Sequence, residues 1–593
     1  MSTLRVPSRK RLSHNTAVAL AIWLVLTFAV QLQPAPVAAS SPHSLPAWFP
    51  LSSMPADITF SDNQPIIEFL ARIVATGDFN GDGIADFLVT YERPTVDTTP
   101  SLSKAGIIFG KKDLNTPEAI DLTTTPLDLT FTFTGKLPLG TAAYISSVGD
   151  LNGDKIDDIV VTTVSSSGLI TNQTVTGYYV LFGSPDLKPG TLEFSGIKPD
   201  VTIATPQKSG LAVVGYAAIG DINGDGIPDL VFITGITGAQ LPASGMRAVI
   251  TLGPFTSGRT VDLQSGPADV YVTGTSPVLL ADVNGDGVAD LLVGDGSGAL
   301  NIFLGSASLK GGIQVSKPDA RIVGNKKNEY LTSSVAARDI NGDGIPDIIL
   351  GSLNSTAPPS QAAKGEVYII FGSHDLAGRT IDVAQNQQDV TIVDSQHGLG
   401  GLGAYGWVAA ADINGDGIAD IIVSNYAADG PGKREPRAGA IYIVLGSRGF
   451  VRGATVDIAS FQQDASIFGP GANQFLGYQL IGGGDFNGSG VEGIVASSGT
   501  GTTYAFLGGP LRPPVVTAAV FNKGAGLVIS GTDLAGADEV EINGSIVAGA
   551  AFIPNQATVS LTGSKRHLNL RSGDNQIVVI RKGTRSNVFT LTL

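Results

Sequence analysis

Cysteine is absent from this sequence, and the residues that most enzymes use for catalysis are scarce. With no cysteine in 593 residues, the chain cannot form disulfides, thiolate metal sites, a cysteine nucleophile or a lipidated cysteine anchor. It has five histidines, and it shows no serine nucleophile elbow, no histidine-based metal cluster and no phosphate-binding loop. We therefore expect a chain that binds a partner and is not an enzyme.

Positive charge is also under-represented. The 37 Lys and Arg residues are outnumbered by 52 Asp and Glu residues, which gives a formal net charge of -15. Because nucleic-acid affinity depends on clustered basic residues, this balance argues against a nucleic-acid partner and favours cations. The 76 glycines and 33 prolines interrupt helices and suit short strands joined by turns. The composition thus predicts many strands and no long helix.

Long apolar runs are absent except at the N-terminus. Four basic residues precede an apolar stretch from Ala17 to Val30, and small residues at Val37-Ala38-Ala39 then provide a cleavage site before Ser40. We interpret residues 1–39 as a signal peptide. An uncleaved anchor is the alternative, although a spanning helix needs about 20 apolar residues. We expect a mature chain without a membrane span that is secreted, extracellular or held at the cell surface.

What the sequence does contain is a repeat. The motif D-x-N-x-D-G-x-x-D, or a variant of it, occurs seven times, beginning at Asp78, Asp150, Asp221, Asp282, Asp339, Asp412 and Asp485. The intervals are 72, 71, 61, 57, 73 and 73 residues, long enough for one four-stranded sheet and its loops. Fixed periods of this kind indicate a repeat architecture.

Two further elements recur with each loop. After each loop a β-branched or aromatic run ends in glycine, at Gly110, Gly183, Gly253, Gly305, Gly372, Gly446 and Gly508. Before most loops lies a segment such as Asp389 to Ile392 or Asp464 to Ile467. Several strands in each of seven units predict a β-propeller, which leaves only short and protected strand edges. An open solenoid is the structural alternative.

Oxygen-bearing side chains occupy positions 1, 3, 5 and 9 of six loops, and a backbone carbonyl is available at position 7. Calcium takes 6 to 8 oxygen ligands, and a glycine at position 6 permits the sharp turn that such a loop requires. We predict about six Ca²⁺ ions. Their predicted ligands are Asp78, Asn80, Asp82, Ile84 and Asp86; Asp150, Asn152, Asp154, Ile156 and Asp158; Asp221, Asn223, Asp225, Ile227 and Asp229; Asp282, Asn284, Asp286, Val288 and Asp290; Asp339, Asn341, Asp343, Ile345 and Asp347; and Asp412, Asn414, Asp416, Ile418 and Asp420.

An EF-hand and a plain hairpin turn are the two other interpretations of the loops. An EF-hand needs a bidentate Glu at position 12, whereas that position is apolar in these six loops, so Asp at position 9 must close the site. A plain Asx-rich hairpin turn would also use Asn-Gly and Asp-Gly. Lys155 replaces glycine in the second loop, which we expect to weaken binding there. The seventh loop has Ser489 and Gly493 at positions 5 and 9, and we expect it to bind no metal.

Together, the loop and the following strand that ends in Phe-Gly or Leu-Gly resemble the FG-GAP repeat of integrin α-subunits and their bacterial relatives. The resemblance covers about residues 55–510. It implies a seven-bladed propeller, assigned here to residues 45–510, with calcium in hairpin loops on one face and partner contacts on another. It also implies that an N-terminal strand completes the last blade, for which Trp48 to Leu51 is the candidate, with Pro50 suited only to an edge.

The remaining residues, 513–593, differ in character. Segments such as GLVISGTDL and GDNQIVVIRKG resemble an immunoglobulin-like IPT/TIG domain. The predicted fold class is therefore all-β, a seven-bladed β-propeller followed by a small immunoglobulin-like β-sandwich. From Pro513 onward, 7 Lys and Arg residues face 5 Asp and Glu residues, so this domain is mildly basic. The basic residues are explained equally well by a docking or spacing role of the domain and by simple solvation of its surface.

The functional prediction is extracellular adhesion or recognition of a protein or glycan ligand. A lectin-like module or a calcium-dependent polysaccharide-degrading enzyme are the alternatives, because fold does not settle function. The candidate contact surface is the variable segment from Gly398 to Trp407, with Tyr405, together with Lys433-Arg434-Glu435. Packing of Tyr405 and Trp407 between blades is the competing interpretation.

Overall fold

The computed structural model describes most of the chain from residue 48 onward. The described ranges are 48–52, 55–61, 73–91, 104–112, 117–122, 124–132, 141–166, 173–193, 199–204, 217–235, 246–262, 270–309, 313–315, 317–324, 329–354, 366–394, 408–430, 435–460, 462–510, 512–534, 537, 539–547, 552–554, 558–581 and 584–593. The predicted signal peptide and the segment from Gly398 to Trp407 lie outside them.

In the described residues up to 510, seven five-stranded sheets follow one another, and each begins with a hairpin. The innermost strands are β3 (Ile73–Gly77), β8 (Thr141–Gly149), β13 (Ala217–Gly220), β18 (Thr275–Ala281), β23 (Glu329–Arg338), β28 (Val408–Ala411) and β33 (Gln479–Gly482). The second strands are β4 (Asp86–Tyr91), β9 (Asp158–Ser166), β14 (Asp229–Gly235), β19 (Asp290–Gly294), β24 (Asp347–Asn354), β29 (Asp420–Asn425) and β34 (Ile494–Ser497).

The third strand of each sheet pairs antiparallel with the second, and the fourth strand pairs antiparallel with the third. The third strands are β5 (Lys104–Ile108), β10 (Gln173–Leu181), β15 (Met246–Thr251), β20 (Leu300–Phe303), β25 (Glu366–Ile370), β30 (Ala440–Val444) and β35 (Thr503–Phe506). The fourth strands are β7 (Leu129–Thr132), β12 (Val201–Ala204), β17 (Val270–Thr273), β22 (Ala320–Val323), β27 (Val390–Val393), β32 (Ala465–Phe468) and, in the seventh sheet, β2 (Ile58–Ser61).

A fifth, parallel strand at each outer edge comes from the segment that precedes the fourth strand of the next sheet. These strands are β11 (Gly190–Glu193), β16 (Arg259–Asp262), β21 (Ile313–Val315), β26 (Thr380–Asp382), β31 (Ala454–Asp457), β1 (Trp48–Pro50) and β6 (Glu118–Asp121), in sheets one to seven. Single 3-10 turns follow two of them, at Val383–Gln385 and Ile458–Ser460. Among the ranges described here, no helix has the length and apolar character needed to cross a membrane.

The strand that closes the seventh sheet is not the predicted one. β2 pairs with β35 and supplies the fourth strand of that sheet, whereas β1 pairs in parallel with β32 at the edge of the sixth sheet. The prediction that Trp48 to Leu51 closes the last unit was therefore wrong by one sheet. Its physical reason lies in the fifth strands, since the segment before each fourth strand always joins the preceding sheet. Pro50 does lie on an edge strand.

The core lies between neighbouring sheets, so the middle strands are buried on both faces. All residues of β19, β29 and β30 are buried, which explains the apolar residues in the middle of each strand. The innermost strands of successive sheets contact one another, and Ala85 of the first sheet bonds Asp485 of the seventh. Phe87 stacks on Phe486 at this last junction, with ring centres 4.6 Å apart. The first and seventh sheets are therefore in contact, as expected for a propeller-like fold.

Two more sheets enclose a separate core after residue 512. One contains β36 (Val515–Asn522), β37 (Gly526–Thr532), β41 (Thr558–Leu561) and β40 (Phe552–Pro554); the other contains β39 (Ser545–Ile546), β38 (Glu539–Ile542), β42 (Asp574–Arg581), β43 (Thr584–Arg585) and β44 (Phe589–Thr592). Leu527 and Ile529 from the first sheet share one buried cluster with Ile542 and Ile577 from the second. This part of the chain is a small β-sandwich.

Candidate metal centre in the repeat loops

The seven repeat loops occupy equivalent places in the fold. Each connects the first strand of a sheet to the second, and in six of them the Asp at position 9 is the first residue of the second strand. Position 12 therefore lies within that strand, as its apolar character requires. Because the first and second strands of each sheet are antiparallel neighbours, all the loops share one end of their sheets, opposite the connections from the second strand to the third.

The Asp at position 9 is the most buried acidic group of each loop. Its side chain is 0% exposed at Asp86, Asp158, Asp229, Asp290, Asp347 and Asp420. In the fourth loop, Asp290 accepts one bond from the N–H of Val283 and one from the N–H of Gly305, both at 2.9 Å. The carboxylate thus ties the loop to the glycine that follows the third strand, and the other five loops repeat the arrangement.

That glycine is required by close packing. A Cβ atom on Gly446 would lie 2.2 Å from the carbonyl oxygen of Ala419, well inside van der Waals contact. The recurring strand that ends in Phe-Gly or Leu-Gly therefore passes directly over the end of the repeat loop. The loop and this glycine form one structural unit, although some 15 to 26 residues separate position 9 from the glycine in sequence.

Positions 1, 3 and 5 curl the loop around their own oxygens. In the fourth loop, Asp282 accepts from the N–H groups of Asp286 and Gly287 at 3.0 and 2.7 Å. Asn284 accepts from Asp286 at 2.8 Å, and Asp286 accepts from Val288 at 2.9 Å. Gly287 at position 6 has φ +87, the left-handed conformation that favours glycine. The alternating oxygens predicted from the sequence are therefore collected in one tight turn.

Lysine occupies the same left-handed position in the second loop. Lys155 has φ +70 and donates its N–H to Asp150 at 2.8 Å, so the turn forms despite the side chain. A residue with a Cβ pays roughly 1–2 kcal/mol for this conformation. The second loop is therefore strained relative to the other loops, which is consistent with the weaker site expected there.

Burial makes the position-9 carboxyl groups reluctant to ionise. The pKa is raised from 3.8 to about 7 at Asp86, Asp158, Asp290 and Asp347, to about 6 at Asp229 and to about 8 at Asp420. Desolvation is the largest cause, and the like charges at positions 5 and 1 raise the pKa further. The two backbone N–H bonds act in the opposite direction. A nearby cation would remove this electrostatic cost.

The seventh loop folds into the same turn with fewer carboxylates. Asp485 accepts from Ser489 and Gly490 at 3.0 and 2.6 Å, as position 1 does elsewhere. At position 9, a Cβ on Gly493 would lie 3.0 Å from the ring of Phe486, so an aromatic ring fills the space that a carboxylate uses in the other loops. The turn therefore does not need acids at positions 5 and 9. Their presence in six loops calls for another explanation.

The donor chemistry of the six loops fits calcium, although no metal cage is closed in this structure. Within the ranges described, no group of three or more His, Cys, Asp or Glu side chains is arranged to hold an ion. The loop carboxylates accept backbone N–H groups instead. Each carboxylate oxygen has further lone pairs, so such bonds and metal coordination are compatible. The ligand roles given to positions 1, 3, 5, 7 and 9 stay predictions.

Acidic residues at position 8 form a further link that the sequence reasoning missed. Asp157 accepts from the N–H of Asp78, and Glu492 accepts from the N–H of Asp412, both at 2.8 Å. Glu492 also pairs with Arg338 through both oxygens at 2.9 Å. The bonds to Asp78 and Asp412 join the loops of successive sheets, whereas the pair with Arg338 links the seventh sheet to the fifth. No local pattern reveals them, because the partners lie 79 to 154 residues apart.

The candidate partner-contacting residues are outside the described ranges. Tyr405 and Trp407 belong to the segment 398–407, and Lys433 and Arg434 are also undescribed. Glu435 is described, and its carbonyl accepts from the N–H of Gly430 at 2.8 Å. The structure therefore leaves the predicted contact surface a prediction.

Comparison with known proteins identifies the repeats. The FG-GAP repeat model matches residues 71–100, 331–370 and 404–444, and the FG-GAP-like repeat model matches residues 282–350. These segments of the chain therefore match FG-GAP repeats, and the chain is similar to integrin α-subunits over part of its length. Integrin alpha pat-2 of Caenorhabditis elegans is 27% identical over 246 residues, which cover 40% of this chain and 18% of the integrin.

Two human proteins share similar stretches with this chain. Integrin alpha-7 is 32% identical over 184 residues, covering 29% of this chain and 15% of the integrin. Phosphatidylinositol-glycan-specific phospholipase D is 30% identical over 176 residues, covering 27% of this chain and 20% of the phospholipase. The chain thus spans a fifth or less of the length of each of these relatives.

Proposed function

We propose that the chain is a secreted, calcium-binding, seven-bladed β-propeller with an IPT/TIG-like sandwich, and that it acts as an extracellular adhesion or recognition module. The observation that carries the proposal is the contrast between the loops. The seventh forms its turn without acids at positions 5 and 9, whereas six loops retain a buried carboxylate whose pKa is raised by burial and by two like charges. The similarity to integrin α-subunits supports the recognition role.

In each of the six loops, the side-chain oxygens at positions 1, 3, 5 and 9 and the carbonyl at position 7 would hold the ion. Calcium would supply the positive charge that compensates the crowded carboxylates. The protein's own part is structural: position 9 connects the second strand, the loop and the glycine after the third strand. Metal binding would therefore stabilise each blade where it meets its neighbour, in a chain that has no disulfides.

We propose binding and not catalysis because the position-9 acids, whose pKa values are raised, are inaccessible. Each position-9 side chain is 0% exposed and both its oxygens accept main-chain N–H groups, as at Asp290. A general acid or base must come within hydrogen-bonding reach of its substrate. The glycan-binding module and the polysaccharide-degrading enzyme are the competing functions.

A series of single substitutions tests this proposal. Asp86, Asp158, Asp229, Asp290, Asp347 and Asp420 would each be changed to Ala in the mature chain, with Ser489→Ala in the seventh loop as the matched control. Bound calcium, the melting temperature, binding on a glycan array and cleavage of a polysaccharide panel would be measured for each variant.

We expect each Asp variant to lose about one calcium ion and to melt at a lower temperature, because each blade contacts chiefly its neighbours. The control should keep its calcium and its melting temperature. One Asp variant that stays fully folded while losing polysaccharide cleavage would overturn the binding role in favour of an enzyme. Six variants with unchanged calcium content would overturn the metal assignment.

A further inference from the structure

The C-terminal sandwich contains a cleft that the repeat loops do not explain. It has a volume of about 800 Å³ and lies between the turn after β36, the segment after β41 and the last residue of the chain. Its lining residues are Phe521, Lys523, Gly524, Gly563, Ser564, Lys565 and Leu593. Ligand sites in proteins usually span roughly 300–1,000 Å³ and combine apolar surface with a few polar groups.

Charge and aromatic character coincide in this cleft. The ammonium of Lys565 lies 5.8 Å from the centre of the Phe521 ring, within reach of a cation–π contact. Lys523 and Lys565 are both exposed, while Phe521 is partly exposed and packs against the sandwich core. The two lysines therefore offer positive charge beside an aromatic surface that the core holds in place.

Leu593, which lines this cleft, is held by hydrogen bonds to Gly573, the residue before β42. Asp574 accepts from the hydroxyl of Thr592 at 2.6 Å, and the terminal residue Leu593 accepts from the N–H of Gly573 at 2.8 Å. The excess of 7 basic over 5 acidic residues after residue 512 adds to the attraction for an anion.

We propose that this cleft binds an anionic polysaccharide whose sugar rings carry carboxylates. A sugar ring presents an apolar face that matches the Phe521 ring, and its carboxylate matches the ammonium groups of Lys523 and Lys565. The cleft volume accommodates a short stretch of such rings. This site lies in a different domain from the repeat loops and would operate whether or not those loops bind calcium.

The test uses the full mature chain and oligogalacturonate as the probe. Binding would be measured by calorimetry for the wild type, for the double variant Lys523→Gln/Lys565→Gln, and for the control Lys188→Gln/Lys317→Gln. The control removes the same charge from exposed lysines of the seven-sheet region. Neutral galactan oligomers, dextran sulfate, inorganic phosphate and polyglutamate serve as comparison ligands.

We expect the double variant to bind oligogalacturonate at least about tenfold more weakly than the wild type does. The control should bind as the wild type does, and added salt should weaken the binding of both the control and the wild type. Neutral galactan should not bind. Equal affinity of the double variant and the wild type would overturn the site. Comparable binding of phosphate would reduce it to adventitious anion binding. Equal or tighter binding of dextran sulfate would show that the site recognises sulfated and not carboxylated polysaccharides. Tighter binding of polyglutamate would show that the ligand is an acidic protein and not a polysaccharide.

Discussion

Asp420 offers the sharpest physical prediction, because its pKa differs most from the usual value. The group is 0% exposed, accepts N–H bonds from Ile413 and Gly446 at 3.0 and 2.8 Å, and faces the like charges of Asp416 and Asp412. Burial, the largest cause, raises its pKa from 3.8 to about 8. The perturbation we consider is Asp420→Asn, which removes the titration and keeps one acceptor oxygen.

The expected effect follows from proton linkage. Between about pH 4 and pH 8 the metal-free native state holds a proton on Asp420 that the unfolded state has lost, so the free energy of unfolding falls as pH rises. One such group contributes a slope of about 1.4 kcal/mol per pH unit, or roughly 2.7 kcal/mol between about pH 5 and pH 7. The Asn variant lacks this contribution. The lost acceptor costs about 1 kcal/mol at every pH and leaves the slope unchanged.

Urea unfolding of both proteins in EDTA, at intervals from pH 5 to pH 7, measures the difference directly. The wild type should lose stability relative to Asp420→Asn as pH rises. In excess calcium the relation should reverse, because the ion binds the deprotonated carboxylate and stabilises the wild type more at higher pH. Parallel pH profiles in EDTA would refute the reasoning that burial governs this carboxyl group.

Three further substitutions test separate parts of the structure. Lys155→Gly should raise the free energy of unfolding by about 1 kcal/mol, since glycine accepts the left-handed backbone, and should tighten calcium binding in the second loop; no gain in the melting temperature would contradict the strain. Gly446→Ala should destabilise the chain by about 2 kcal/mol or more, because the new Cβ would lie 2.2 Å from a carbonyl oxygen. Gly471→Ala is the control and should leave stability unchanged, since nothing lies within 4 Å of its Cβ position. Equal melting temperatures of the two variants would contradict the packing account. Glu492→Gln should cost about 1 kcal/mol by weakening the pair with Arg338 and the bond to Asp412, and an increase in stability would contradict that role.

Much of the candidate site follows from local sequence. The spacing of Asp282, Asn284, Asp286 and Asp290 predicts a curled loop, and the apolar residue at position 12 predicts that this position lies in a strand. The structure agrees with both. These features depend on backbone geometry within a dozen residues, where a periodic pattern carries enough information. The glycines after the third strands were also recognised, although their close contact with the loops was not.

The rest depends on pairing between distant segments. A sequence pattern marks β1 and β2 as strands but does not state which sheet each joins, and the assignment of Trp48 to Leu51 was wrong for this reason. The segment before each fourth strand pairs with the preceding sheet and becomes the fifth strand of that sheet. The Glu492 contact with Arg338 spans 154 residues, so charge alone could not have identified it.

The calcium content of the mature chain tests the central claim most directly. The purified protein would be equilibrated with calcium, passed over a desalting column and analysed for bound metal per chain. The account predicts close to six ions, one for each loop with acids at positions 1, 5 and 9 and none for the loop that begins at Asp485. Seven ions would show that Ser489 and main-chain oxygens suffice, and two or fewer would show that most of the loops are ordinary turns.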